Sequence, residues 1–428
     1  MNQRAALRWY GAGAAAARTG DEMSGTALLL AGLAVTGSAA TASSLLAALT
    51  VSAAIGGPVF GALLDRSARP GRLLAGALAG YATGLVIILV TLGRVPVFVS
   101  VLVALCAGLL GPALSGGWTS QLPRVVTYER LPRANALDAL TFNGASLAGP
   151  ALAGAVAGVA GAPAGVAVAT ALICLALPSA IALPTLRTRS VRSARAARRP
   201  DRAGRPPMDG PSPGLATTLA TDVAAGFRAL VRIRPLARAT TTSVVSCVGQ
   251  GMLVACAPLL GARVFGSPAH GALLLSGVAV AALTANAVLS ARPRPARPDT
   301  VVAYGPLVIA GGLLLAATGH PVPVVAAALL VGFGEGPQLT ALFAIRHREA
   351  PERLRGQIFT TGASLKITGF ALGAGVAGPL ATWSLPGALL TAAGVQTLAT
   401  LWFVVSRYAR RGRRPSRGPW SRPCSRPS

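Results

Sequence analysis

The sequence predicts an all-α membrane protein, with twelve transmembrane helices arranged as two pseudo-symmetric six-helix bundles. Composition points there first: the 428-residue chain is 53% hydrophobic and only 12% charged, outside the range of soluble domains. Its apolar runs also reach the roughly 20 residues that a helix rising about 1.5 Å per residue needs to cross a bilayer. Finally, Lys and Arg gather at every second connection between those runs: at Arg4 and Arg8, then in 66–72, 124–133, 187–238, 292–297, 346–355 and 407–426, with Arg94 and Arg263 outside the pattern. Cytoplasmic connections collect Lys and Arg, and outer ones do not. Seven inner stretches alternating with six outer ones require twelve crossings of the cell's inner (plasma) membrane, with both termini in the cytoplasm.

The spans fall near 11–37, 42–64, 73–93, 95–118, 136–160, 164–185, 239–261, 270–290, 300–319, 321–345, 357–380 and 386–407. Arg4 and Arg8 before an Ala-rich stretch imitate a secretory signal. The run continues to about Gly37 and contains Arg18, Asp21 and Glu22, so an uncleaved first span is expected. Short outer turns such as Gly161–Pro163 and Gly319–Pro321 make neighbouring spans antiparallel. One long interruption divides the chain into an N-terminal bundle (1–185), a basic cytoplasmic linker (186–235), a C-terminal bundle (236–409) and a disordered basic tail (410–428). Within the linker, Leu215, Leu219, Val223, Phe227 and Leu230 recur at helical spacing, with Asp222, Arg228 and Arg232 elsewhere around the turn. This pattern predicts an amphipathic helix on the anionic inner leaflet. The halves repeat: Glu129-Arg130-Leu131, Gly144-Ala145-Ser146 and Gly149-Pro150 are answered in order by Glu352-Arg353-Leu354, Gly362-Ala363-Ser364 and Gly378-Pro379. A duplicated six-span unit produces such a pattern.

Several function classes are excluded. A net charge of +27 would suit nucleic acid, but the arginines are sorted by membrane side and no basic face carries interleaved aromatics. Cys106, Cys174, Cys247 and Cys256 lie in apolar runs and Cys424 in the tail, without disulfide or metal spacing. His270, His320 and His347 each stand alone. With no catalytic set, metal cluster or phosphate-cradling loop, neither an enzyme nor a cofactor is expected, and an ion gradient must supply the energy.

Ionisable groups at bilayer depth are functional candidates because each costs at least about 2.5–3.5 kcal/mol. They are Arg18, Asp21 and Glu22 in the first span, Glu335 in the tenth and Lys366, the only lysine, in the eleventh. Arg18 and Glu22 stand at i,i+4, where contact is possible, and Glu335 and Lys366 lie at matching depth. Two readings stay open: acids that take up and release protons beside tuning cations, or neutralised pairs that only hold helices together. Polar residues concentrate in spans one, four, seven and ten, with Trp118, Gln121, Gln250 and Gln338 as cavity-lining candidates. Spans three, six and nine are almost purely apolar, as suits lipid-facing helices.

Between spans two and three the chain reads Gly61-Ala62-Leu63-Leu64-Asp65-Arg66-Ser67-Ala68-Arg69-Pro70-Gly71-Arg72. With six plus six spans, this resembles the major facilitator superfamily, whose loop signature is Gly-x-Leu-x-Asp-Arg followed by Gly and basic residues. The resemblance covers nearly the whole chain. It implies a conformational latch of Gly61, Asp65, Arg66, Gly71 and Arg72, with Asp65 facing a helix N-terminus or an Arg across the halves. It further implies a central cavity lined by the first, fourth, seventh and tenth helices. Ala68 departs from the usual Gly, and the matching loop in the second half, Ser290 to Asp299, lacks the Gly and the early Asp. Gly149, Pro150 and Gly154 resemble the Gly-Pro motif of the superfamily's antiporters, with Ala153 in place of one Gly. Arg18–Asp21 and Arg133-Ala134-Asn135-Ala136 resemble the enterobactin-exporter-like branch of bacterial efflux carriers. The resemblance implies a monomeric secondary active transporter, expected here as a proton-coupled antiporter exporting small apolar molecules by alternating access. The alternatives are a nutrient importer on the same fold and a membrane scaffold or sensor that no longer transports.

Overall fold

In the computed structural model, residues 3–183, 215–267, 269–291 and 297–408 are described. The basic opening of the linker and the C-terminal tail with Cys424 lie outside them. The first six spans are α1 (Gln3–Thr36), α2 (Ala39–Arg66), α3 (Pro70–Thr91), α4 (Val97–Gly108), α5 (Leu131–Ala160) and α6 (Ala162–Ile181). The linker contributes α7 (Leu215–Arg232). The second set is α8 (Arg234–Phe265), α9 (Ala269–Ala291), α10 (Pro298–Ala317), α11 (Pro321–Glu349), α12 (Arg355–Trp383) and α13 (Leu385–Tyr408). No strand occurs among the described residues. Among the described residues, eleven stretches are long and apolar enough to cross a membrane. The twelfth, α1, has 34 residues but carries Arg18, Asp21 and Glu22, which lower its hydropathy.

Local chemistry sets the ends. At the end of the bundles opposite the arginines, five connections turn at Gly37, Gly93, Gly161, Gly266 and Gly319, with φ between 66 and 86°, a region that glycine enters without steric cost. The expected fourth span is not one helix. Pro112 has no N–H to return to the Gly108 carbonyl, so α4 stops at Gly108 and the chain continues as a π-helical turn, Ala113–Gly117. A single α-turn, Leu122–Val125, follows.

In the first bundle α1 is backed by α6 and flanked by α5 and α2, while α3 packs on α6 and α4. Its core includes Met23, Leu28, Leu45, Leu74, Leu78 and Ile173. In the second, α8 is held by α12, α13 and α9, and α10 and α11 pair beside it. Lipid tails are as apolar as these side chains, so close backbone approach must supply much of the helix–helix attraction. Gly373 shows how: a Cβ there would overlap the Val248 carbonyl, which brings α12 directly onto α8.

The two bundles meet at the Arg-rich end. Gly57 and Gly61 of α2 lie against Thr360, Gln357 and Ser364 of α12, and Ser364 Oγ donates to the Ala53 carbonyl at 2.8 Å. Ala139 and Phe142 of α5 pack with Leu339 and Phe343 of α11 and Phe359 of α12. Val51 and Ile55 on α2, Leu152 and Val159 on α5, and Leu372 and Val376 on α12 are exposed. α7 does not lie free of the protein. Leu230 is buried with Leu236, Ala350 and Ile358, Asp222 pairs with Arg66 of α2, and the Val223 carbonyl accepts from Gln357 Nε2 at 2.9 Å. The helix therefore straps both bundles at their closed end, with Phe227, Arg228, Val231 and Arg232 facing outward.

Candidate functional site

α1 carries the densest set of intramembrane charges, and they divide by direction. Arg18 is 2% exposed and does not turn to Glu22 one helical turn away. Its Nη1 donates to Asp138 Oδ1 at 2.9 Å and to the Asp138 carbonyl at 3.0 Å, and also to Thr141. Nη2 donates to Thr119 Oγ1 at 2.8 Å, and the guanidinium lies 3.7 Å from the centre of the Phe142 ring. Asp138 is completed by Tyr10 Oη at 2.7 Å and Thr119 Oγ1 at 2.8 Å. The anticipated i,i+4 pair is thus replaced by an ion pair between α1 and α5. A buried arginine needs a full counter-charge and several acceptors together, and only the start of α5 offers both. Asp138 sits inside the fifth predicted span, and an acid at that depth was the signal that should have singled it out.

Asp21 and Glu22 receive no cation among the described residues. Asp21 Oδ1 accepts from Tyr81 Oη at 3.0 Å, and Tyr81 in turn touches Ser24 Oγ at 2.8 Å. Glu22 accepts from Ser146 Oγ at 3.3 Å. With α2, α5 and α6 covering the rest of α1, the remaining face carries Ala15, Thr19, Glu22 and Thr26, which are at least partly exposed.

Gly149 governs this corner, because a Cβ there would fall 2.6 Å from Glu22 Cβ and 2.8 Å from the Met23 nitrogen. Pro150 follows it inside α5, while Gly154 meets nothing within 4 Å. Gly149→Val is expected to pry α5 from α1 at a cost of about 1–3 kcal/mol, read as a lower unfolding temperature in detergent. An unchanged temperature would show that the contact at Gly149 is dispensable.

In the second bundle Glu335 and Lys366 are half-buried. Lys366 lies within electrostatic reach of Glu335, but the expected Glu335–Lys366 contact pair is not formed among the ion pairs of the described residues. The cavity-lining candidates mostly turn inward. Trp118 is fully buried against Tyr10, because the π-helical turn rotates it into the first bundle's core. Gln121, 3% exposed, bonds Ser120. Gln338, 4% exposed, accepts from Ser246 between α8 and α11. Gln250 alone of the four keeps part of its surface.

At the closed end Asp65 crosses the bundles. Its Oδ1 accepts from the Gly356 N–H at 2.6 Å and its Oδ2 from the Gln357 N–H at 2.8 Å. These are the first, otherwise unbonded donors of α12, at the positive end of its dipole. Arg124 and Arg355 add electrostatic attraction. Gly61 permits the approach, since any side chain there would overlap Gln357 and Thr360. Of the other latch candidates, Arg66 pairs with Asp222, Gly71 packs on Ala180 within its own bundle, and Arg72 is exposed.

Residues missed at the sequence level lie nearby. α11 was expected to end at 345 with Arg346 in a loop, but it continues to Glu349. Arg346 and His347 are buried at 2% and 4% exposure.

Comparison with known proteins bears on the fold. Residues 11–366 match the sequence profile of the Major Facilitator Superfamily. No curated protein sequence matches the chain. Among solved structures, the human organic anion transporter MFSD10 superposes with TM-score 0.68 at 16% identity, covering 94% of this chain and 100% of its own. The proton:xylose symporter XylE gives 0.69 at 15% identity, covering 94% of each chain. A bacterial homologue of the iron transporter ferroportin, in an outward-facing state, gives 0.69 at 16% identity, covering 94% of this chain and 99% of its own. At such identities the likeness concerns the fold alone.

Proposed function

Because the chain belongs to the major facilitator superfamily and is therefore a membrane transporter rather than an enzyme, we propose that it is a proton-coupled antiporter exporting small, largely apolar molecules by alternating access. One observation carries this reading. Arg18 is committed to Asp138, which leaves Asp21 and Glu22 as adjacent carboxyl groups at membrane depth with no basic partner among the described residues. Ionised, each carries the cost of an intramembrane charge. A proton removes that cost, and Glu22 stands on the α1 face that water and substrate reach when the bundles part.

With the Arg-rich end assigned to the cytoplasm, the contacts of Asp65, Gly61 and the Phe142–Phe343–Phe359 cluster hold the inner side closed, as the outward-facing half of the cycle requires. A proton arriving from outside neutralises Asp21 or Glu22, weakens substrate binding and favours return to the inward-open state. Each charge moved across the membrane is worth about 2.3 kcal/mol per 100 mV, enough to bias the cycle. The carrier works as a monomer in the plasma membrane, its basic face against anionic inner-leaflet lipid, and contacts no nucleic acid. Trp118, Gln121 and Gln338 are sequestered in helix packing, so few hydrogen-bonding groups remain for a sugar-like cargo.

In proteoliposomes, Asp21→Asn combined with Glu22→Gln is expected to abolish proton-driven uphill efflux while sparing exchange down the substrate gradient. Full coupled efflux by the double variant would end the proposal.

A further inference from the structure

We propose that Arg346 is a docking site for a carboxylate on the transported molecule, filling in the second bundle the role that Asp138 fills in the first. The inference rests on the export reading and narrows its cargo to apolar molecules bearing one carboxylate.

Each bundle buries an arginine: Arg18 of α1 lies against α5, and Arg346 of α11 lies against α12. No acid stands in the α12 turn that meets Arg346, whose residues there are Thr361 and Gly362. Thr361 is 3% exposed, and its hydroxyl has no partner. The next residue, Gly362, lies directly against the Arg346 guanidinium, where a Cβ would overlap Cζ and Nη2. So beside its buried arginine α12 carries a threonine and a bare glycine, whereas α5 gives Arg18 an acid.

Arg346 is left without a counter-charge. It takes part in none of the ion pairs among the described residues, and its Nε and Nη2 make no hydrogen bond. Both ring nitrogens of the neighbouring His347 are likewise unpartnered. A buried cation that no described group neutralises is expensive, so we assign its partner to the transported molecule. A guanidinium with two adjacent free N–H directions matches a carboxylate.

The position also suits a transported anion. Phe343, one helical turn before Arg346, lies 5.5 Å from the Phe142 ring and 6.0 Å from the Phe359 ring. His347 stacks 4.4 Å from Phe359. The guanidinium lies 5.8 Å from the centre of the Phe359 ring, beside the aromatic plug that joins the bundles, so parting of the Arg-rich end would uncover it. One turn beyond Gly362 on α12, Lys366 offers a second cation, with no contact ion pair among the described residues.

The test uses the full-length protein purified in detergent, without membrane or gradient, and reads unfolding temperature against ligand concentration. The probes are 2-naphthoate, its neutral analogue 2-naphthylmethanol, and inorganic phosphate. Naphthoate is expected to protect the wild type saturably, and the other two are not. Arg346→Gln is expected to weaken apparent naphthoate affinity at least about tenfold. Thr361→Asp supplies the missing internal acid instead of removing the cation, so it folds with Arg346 neutralised and loses naphthoate protection to the same extent. The proposal is overturned if Thr361→Asp retains wild-type protection, or if naphthylmethanol or phosphate protects as well as naphthoate. Because no proton gradient enters the measurement, failure of the coupling reading would leave this result unchanged.

Discussion

Asp138→Asn is expected to be among the most damaging single substitutions in this protein. It leaves Arg18, 2% exposed, with neutral acceptors and no charge, and it weakens the acceptor of Tyr10 and Thr119. Breaking a buried ion pair by removing one partner costs about 3–5 kcal/mol, a large share of a typical domain's stability. The folded fraction by fluorescence-detected size exclusion and the unfolding temperature in detergent should both fall sharply. The double substitution Arg18→Met with Asp138→Leu removes both charges and should recover much of the loss, because apolar replacement of a whole buried pair is often neutral. A freed Arg18 also has Glu22 one turn away, so surviving Asp138→Asn protein should lose proton coupling through a new Arg18–Glu22 contact. Wild-type stability in Asp138→Asn would dismiss the pair as a structural pillar.

Asp65→Asn is expected to unlatch the Arg-rich end. The carboxylate receives the Gly356 and Gln357 N–H groups at 2.6 and 2.8 Å, and these bonds exist only while α2 touches α12. Hydrogen bonds to a charged group are worth about 1.5–3 kcal/mol, so the closed population should drop roughly 10- to 150-fold relative to the open one. A cysteine replacing Thr360, which is fully buried beside Gly61, in a background lacking the native cysteines, reports the change. Its reaction with a charged thiol reagent from the Arg-rich side should accelerate by a comparable factor. The Arg66–Asp222 pair would oppose opening only weakly, since both side chains are more than one-third exposed and such pairs contribute little. Equal reaction rates in the two proteins would remove Asp65 from the latch.

Legibility differed by residue. Asp65 was readable because its loop motif is contiguous and sits at a helix end, where the partner is a backbone that every helix possesses. Asp21, Glu22, Glu335 and Lys366 were readable as charges in apolar runs, yet their partners were not. Arg18 seemed to belong with Glu22 four residues on, but it chose Asp138, far along the chain, which brings Thr119, Thr141 and Phe142 with it. Trp118 looked like a cavity residue until Pro112 broke the fourth span and turned the indole inward. Arg346 looked like a loop arginine because an apolar count stops at the first charge, whereas α11 runs a further turn under cover of α8 and α12.

The sequence by itself determined the helical class and the apolar stretches long enough to cross a membrane. These follow from the transfer energy of each short segment between water and lipid, a sum over neighbours in the chain. Only the tertiary structure decided which charges are neutralised, which end is shut and which cation lacks a counter-charge. Those outcomes depend on which faces of distant helices meet, and a side chain's electrostatic partner is chosen by three-dimensional proximity within a low-dielectric interior.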